Sequence, residues 1–215
     1  MNQPTTTSAA TIDNALRGGA AQGRAPTAGL LILRDADRVD FLQRMTTNNI
    51  LALRDGQACV TVLTSPTAKI IHVFTVLARP DELWLLPAPG ETAALERHLR
   101  GQIFFMDKVK VANPSDAYAR LRVIGPEAGA ALASLGFTLS DTVDGTAQVV
   151  GDLTAIAQQQ YDLPGYELIV PAAGVDDVVA RLDVPVAGAE ACHVRRIELG
   201  RPAAGAEITG EYSPL

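Results

Sequence analysis

Several charged residues crowd the end of one predicted helix, and their types suit the binding of an anion. Its last two turns and the segment just beyond contain Arg195, Arg196, Glu198, Gly200 and Arg201. A guanidinium holds a carboxylate through two parallel hydrogen bonds, which favours an anionic small molecule as the ligand. Arginine near a helix C-terminus also complements the helix dipole. The spacing alone therefore leaves both roles open.

The other residue types that catalysis uses are sparse. Cys59 falls in a predicted strand and Cys192 in a predicted helix, and we expect both to be buried structural thiols. His72 is predicted to be a half-exposed strand residue rather than a catalytic base. The sequence contains no serine-nucleophile, dinucleotide-binding or P-loop motif. Two distant cysteines and three scattered histidines provide no metal centre. We therefore predict no catalytic residue and no metal site.

Composition excludes several classes of protein. The 215 residues are 47% hydrophobic and 20% charged, with a net charge of −6, which is ordinary for a soluble globular protein. An acidic chain without a basic cluster argues against a nucleic-acid-binding module. No apolar run approaches the roughly 20 residues of a membrane-spanning helix. The N-terminus lacks the order of a secretory signal, so we expect a cytoplasmic protein without membrane or nucleic-acid partners.

Residues 1–27 are rich in Ala, Thr and Gly and are expected to be a flexible tail, in which Thr11–Arg17 could form a short helix. Helical and strand patterns alternate after this segment. Asp35 is predicted to cap a helix, Gly125-Pro126 to open another, and Leu95, Leu99 and Ile103 to form one buried stripe. The predicted strands are Gly29–Leu33, Ala58–Leu63, Lys69–Leu77, Asp81–Leu86 and Tyr118–Ile124.

The second half of the chain repeats the pattern of the first. Pro87 and Gly90 follow a Glu-Leu-rich strand, and Pro171 and Gly174 follow a similar one 84 residues later. The repeat predicts two halves, about 29–110 and 117–199, each a β-α-β-β-β-α unit. Strands and helices mixed without strict alternation predict an α+β fold with mixed or antiparallel sheets and flanking helices. Coincidence in an Ala- and Leu-rich chain is the alternative.

Two sequence blocks resemble a known family. The first runs from Asp35 to Asn49 and continues at Gly56–Leu63; the second contains Arg196-Ile-Glu-Leu-Gly-Arg-Pro, Gly205-Ala-Glu and Tyr212-Ser-Pro-Leu. Together they resemble the N-terminal folate-binding domain of the glycine-cleavage T-protein (aminomethyltransferase) superfamily. More narrowly, they are similar to the YgfZ-type folate-binding proteins of iron–sulfur cluster maintenance. The resemblance covers residues 28–215 as one folate-binding domain and implies an internally duplicated α+β fold. The C-terminal barrel of the family is expected to be missing from these residues.

The resemblance also implies differences from the active transferases. Where those enzymes have a strand aspartate that contacts folate, this chain has Ile71-His72-Val73. Their pterin-holding glutamate aligns with Leu163 and an asparagine with Ala88, and neither replacement reads the edge of a pterin. The arginine that meets the folate tail is retained as Arg196. The 215 residues also lack the Lys-Gly-Cys-x-x-Gly-Gln-Glu segment of the YgfZ type.

The function that the resemblance predicts is binding of tetrahydrofolate, or a related reduced folate, by a YgfZ-like protein linked to iron–sulfur cluster assembly or repair. Iron–sulfur proteins are the expected partners, and aminomethyltransferase activity is expected to be absent. One alternative is a tetrahydrofolate-dependent aminomethyltransferase; another is a degenerate folate domain that survives as an interaction module. The residues expected to contact the folate are Arg196, Tyr161, Trp84, Thr47, Asn48 and Lys69.

Overall fold

A computed structural model describes residues 9–24, 27–139 and 143–212. Its helices are α1 (Ala9–Gly18), α2 (Arg38–Gln43), α3 (Thr92–Gly101), α4 (Ala128–Ala133), α5 (Val175–Leu182) and α6 (Ala189–Glu198). Its strands are β1 (Ala21–Arg24), β2 (Leu31–Arg34), β3 (Ala58–Thr64), β4 (Ile70–Ala78), β5 (Glu82–Pro87), β6 (Lys110–Ala112), β7 (Tyr118–Ile124), β8 (Ala147–Val150), β9 (Leu153–Gln158) and β10 (Gly165–Pro171). Residues 1–8 and 25–26 of the expected tail, and Ser213-Pro-Leu of the second block, lie outside the described residues.

The chain divides into two compact units. Unit 2 comprises residues 25–120, 145–147 and 202–215, and unit 1 comprises residues 1–24, 121–144 and 148–201. Each unit additionally takes short segments from elsewhere in the chain.

Unit 2 is built on a five-stranded sheet in the order β3-β4-β5-β2-β6. The β3–β4, β4–β5, β5–β2 and β2–β6 pairs are all antiparallel. β4 is rich in β-branched and aromatic residues, which suit a strand, and its last seven residues are buried. Leu95 and Leu99 form the predicted stripe of α3 and are fully buried in the core of the unit. α3 ends at Gly101, so Ile103 lies beyond the helix and is only partly buried.

Unit 1 contains the second five-stranded sheet, in the order β1-β7-β10-β9-β8. β1 pairs antiparallel with β7, and β9 with β10. Arg122 on β7 and Glu167 on β10 form an ion pair of 3.5 Å whose side chains are only 14% and 7% exposed. At the end of α1, Leu16 packs with Ile124 and Leu163 in a buried apolar cluster.

The order of elements agrees with the predicted unit in both halves, whereas several boundaries differ. The order is β2-α2-β3-β4-β5-α3 in the first half and β7-α4-β8-β9-β10-α5 in the second. Asp35 does not cap α2, because it has a φ of 77° and the helix begins three residues later, after Asp37. Pro126 likewise precedes the start of α4 by two residues.

The segment expected to be a tail contributes two elements to unit 1. Residues 9–18 form α1, which includes the predicted short helix, and residues 21–24 form β1 at the edge of the sheet. The expectation of a flexible tail is therefore wrong for residues 9–24. A four-residue edge strand carries little pattern of its own, and its order comes from pairing with β7.

Candidate functional site

Unit 2 contains a pocket of about 240 Å³ beside the start of β4. Its walls come from the first residues of β4, the turn between β5 and α3, and a segment near the C-terminus. The lining residues are Ile70, Ile71, His72, Val73, Ala88, Glu91, Ala204, Gly205, Ile208, Thr209 and Gly210. Gly205 of the second sequence block therefore lines the same pocket as the 71–73 segment and Ala88, two places where the chain differs from the transferases.

His72 and Glu91 form a pair inside this pocket. Nδ1 of His72 lies 2.9 Å from Oε2 of Glu91, although the angles are not those of a directed hydrogen bond. His72 is 8% exposed and the Glu91 side chain is 46% exposed. Burial lowers the pKa of His72, and the charge of Glu91 opposes that shift only in part. The imidazole is therefore neutral near pH 7 and faces an exposed carboxylate.

This pair differs from the sequence-based expectation in two respects. His72 was expected to be half-exposed, but it is buried, because β4 is a central strand of its sheet with β3 and β5 on either side. The 71–73 segment has no carboxylate of its own, but Glu91 brings one to it. Glu91 is distant in sequence and belongs to no motif. The sequence shows Glu91 only as an acidic residue at the start of a helix, which does not indicate that it meets His72.

Local backbone geometry places the walls of the pocket. β5 ends at Pro87, and Gly90, with a φ of 87°, turns the chain so that Glu91 immediately precedes α3. On the other side, the amide of Ile70 donates a 3.0 Å hydrogen bond to the carbonyl of Tyr212. That bond holds the C-terminal segment against the start of β4.

Unit 1 contains a larger cavity of about 550 Å³. It is bounded by α1, the segment before α4, the turn before β10 and α6, and its lining includes Leu16, Glu127, Gln159, Leu163 and Arg195. Leu163, the position aligned with the pterin-holding glutamate, is 2% exposed and packs in the apolar cluster of Leu16. Its carbonyl accepts a hydrogen bond from Nη2 of Arg122. The Leu163 side chain offers no hydrogen bond to a ligand.

Arg196 is buried in unit 1, with 5% of its surface exposed. Its Nη1 donates to the carbonyl of Arg201 just beyond the helix, and its Nη2 lies 3.2 Å from Nδ1 of His193. Glu198 pairs instead with Arg17 and Arg195. The guanidinium of Arg196 thus holds the segment that follows α6, and a ligand carboxylate would have to compete for it.

The other residues expected to contact folate lie in different surroundings. Trp84 in unit 2 is 5% exposed, with the Arg79 guanidinium 4.3 Å over its ring and the ring of Tyr118 5.6 Å away. This burial does not fit the expected stacking on a ligand, because the side chains of Arg79, which follows β4, and Tyr118, which begins β7, lie against the ring. Tyr161 in unit 1 is half-buried. Its carbonyl accepts a hydrogen bond from the side chain of Gln158.

Three polar residues of the expected set belong to unit 2 and are exposed. Thr47 and Asn48 lie together beside β3, where the side chain of Asn48 donates to the carbonyl of Val60. Lys69 precedes β4 at the border of the His72 pocket, and its ammonium donates to the carbonyl of Glu211 at 2.8 Å. Unit 2 thus holds four of the six expected residues, and unit 1 holds Arg196 and Tyr161.

The two cysteines lie in β3 and α6, as predicted, and both are partly buried. Burial raises the pKa of Cys59 to about 11 and also raises the pKa of Cys192. Among the described residues, no group of His, Cys, Asp and Glu could hold a metal ion. In the same part of the chain, no helix is long and apolar enough to cross a membrane.

The element order, the two five-stranded sheets and the flanking helices define an α+β fold. The family model of the GCVT N-terminal domain matches residues 28–215, so the chain belongs to that family. It is 27% identical over 195 residues to a protein of Arabidopsis thaliana that is named as a chloroplastic transferase, covering 83% of this chain and 43% of that protein. It is 28% identical over 202 residues to the aminomethyltransferase of Mycobacterium avium (strain 104), covering 87% and 53%.

The structure comparison agrees on the fold. The aminomethyltransferase T of the glycine cleavage system from Bartonella henselae superimposes with a TM-score of 0.85 at 20% identity, covering 94% of this chain and 57% of that one. The chain thus spans about half the length of the curated relatives it matches. The predicted α+β class and the T-protein superfamily are therefore confirmed.

Proposed function

We propose that this protein binds a reduced folate such as tetrahydrofolate and does not transfer aminomethyl groups. The observation that carries the proposal is the composition of the unit 2 pocket. Gly205 of the second sequence block lines it, together with two places where the chain departs from the transferases, Ala88 and the 71–73 segment that replaces their strand aspartate. An imidazole paired with the carboxylate of a different element differs from the strand aspartate that the resemblance assigns to the transferases.

The environment of the pair supports the absence of transfer activity. A general acid or base must be within hydrogen-bond reach of the proton that it moves. Among the described lining residues no carboxylate lies on β4 itself, because that of Glu91 comes from the segment before α3, and Ala88 adds no polar side-chain atom to the wall. The active transferase remains the first alternative. The second, an interaction module that has lost folate, draws its support from Leu163 and Ala88.

The proposed role lies in iron–sulfur cluster assembly or repair, with iron–sulfur proteins as partners. Its support is the similarity of the two sequence blocks to the YgfZ-type proteins, in the cytoplasm as expected from the sequence. Internal duplication is part of the same proposal, and the equal strand order supports it. β3-β4-β5-β2 in unit 2 corresponds to β8-β9-β10-β7 in unit 1. If the halves share an origin, superposing one half on the other will align Pro87 with Pro171.

Calorimetric titration with tetrahydrofolate tests the proposal. We expect weak but saturable binding, because Leu163 provides no hydrogen bond to the pterin and Arg196 must exchange an internal partner. A parallel assay with the other components of the glycine cleavage system should give background turnover. Clear turnover would establish the transferase alternative. An absence of binding with no turnover would favour the interaction module.

A further inference from the structure

We propose that Glu91 is the residue that recognises the ring end of the ligand, by accepting hydrogen bonds from adjacent ring N–H and exocyclic amino groups. The chemistry recognised is the 2-amino-pyrimidinone edge, which pteridines and guanine share. Choosing the pteridine of a reduced folate as the occupant rests on the proposed function. The recognition of a 2-amino-pyrimidinone edge rests on the size of the pocket and on the carboxylate of Glu91.

The size of the pocket decides how much of a ligand it takes. Sites for whole drug-sized ligands span about 300–1,000 Å³, and this pocket has about 240 Å³. It therefore accommodates one flat ring system rather than a whole folate. Apolar side chains of Ile70, Val73, Ala88 and Ile208 line it, and such walls suit the faces of a heterocycle.

Charge decides which end of a folate enters. Glu91 is the only carboxylate among the residues that line the pocket in the described part of the chain. An ionised carboxylate only accepts hydrogen bonds, and two neighbouring N–H donors match its two oxygens. The carboxylates of a folate tail would instead meet a like charge, which disfavours them in a partly buried site. The ring end is therefore the end that fits.

His72 acts as a positioning residue in this arrangement. It is 92% buried on β4, and its Nδ1 lies 2.9 Å from one oxygen of Glu91. This short contact places one carboxylate oxygen of Glu91 against the buried ring, while the Glu91 side chain as a whole is 46% exposed. The fixed imidazole thus restrains the carboxylate at the mouth of the pocket.

Fragments of the ligand separate this inference from the proposed function. The full chain is titrated with 6-methyltetrahydropterin, which has only the ring, with p-aminobenzoylglutamate, which has only the tail, with guanosine and with tetrahydrofolate. Glu91→Gln should weaken binding of the ring fragment about 10- to 100-fold, which is the effect of losing a charge-assisted hydrogen bond. Binding of the tail fragment should not change. Glu190→Gln, an exposed substitution at the start of α6, is the matched control.

A second variant covers indirect effects of Glu91→Gln. Ala88→Phe fills the pocket from a half-buried position, so it should abolish binding of the ring fragment and spare the tail fragment. Thermal unfolding of each variant checks that it is folded. Tighter binding of the pterin than of guanosine identifies folate as the source of the ring, and the reverse order identifies a guanine ligand.

The outcomes distinguish the two claims. If tetrahydrofolate binds equally to wild type and Glu91→Gln, the inference is wrong and the proposed function stands. If guanosine binds through Glu91 and tetrahydrofolate does not bind, the recognition of the edge stands and the proposed function fails. If no ring compound binds to the wild type, the inference is overturned.

Discussion

Replacing Arg196 by alanine separates a structural role from a ligand-binding role. The side chain is 5% exposed, and Nη1 donates to the carbonyl of Arg201. Hydrogen bonds from charged donors contribute about 1.5–3 kcal/mol, so Arg196→Ala should lower the free energy of unfolding by about that amount. If the same guanidinium also holds the folate tail, the variant should bind tetrahydrofolate about 10- to 150-fold more weakly.

Arg195→Ala is the matched control, because Arg195 lies one position earlier on α6. Its guanidinium pairs with Glu198 at 3.1 Å near the surface, and exposed ion pairs contribute little. We expect Arg195→Ala to lower the free energy of unfolding less than Arg196→Ala does. Because Arg195 lines the unit 1 cavity, this variant is a control for stability and not for affinity. Arg196→Lys adds a further comparison, since it keeps the charge but loses the planar fork.

The assay combines urea unfolding with calorimetric titration of tetrahydrofolate at a temperature where each variant is folded. Equal dissociation constants for wild type and Arg196→Ala would remove Arg196 from the ligand site. Equal stability of Arg196→Ala and Arg195→Ala would refute the assignment of Arg196 as the group that holds the segment after α6.

Three further predictions concern His72, Cys59 and Leu99. Burial lowers the pKa of His72. Below about pH 6.5 the unfolded chain therefore binds the proton more readily than the folded chain, and the stability falls. Urea unfolding at pH 5.5 and 7.5 should show this fall in wild type and a smaller fall in His72→Asn. The pKa of Cys59 is about 11, so iodoacetamide should modify it slowly at pH 8 in the native protein and rapidly in urea; equal rates would contradict its burial. Leu99→Ala removes a fully buried side chain and should cost about 2–5 kcal/mol in urea unfolding, whereas Leu51→Ala, at a position 60% exposed, should cost much less.

Much of the secondary structure follows from local patterns in the sequence. The strand predicted at Tyr118–Ile124 has the same bounds in the structure, and the Leu95 and Leu99 stripe identifies the buried face of α3. The repeated strand–turn–helix pattern also predicts the order of elements in both halves. Side-chain periodicity and turn residues act within a few positions, so a single sequence displays them directly.

Contacts between distant segments required the tertiary structure. The sequence pattern of β1 is that of a tail, and the segment is a strand because it pairs with β7. The sequence shows His72 in a strand without a carboxylate, and Glu91 reaches it only because β4 and β5 are neighbours and the turn after β5 reverses toward β4. Burial of Trp84 and of Arg196 likewise depends on what packs around them. Residue types and spacing determine which elements form and which chemistry is available, whereas strand order and packing decide which side chains meet, because those contacts join residues far apart in the chain.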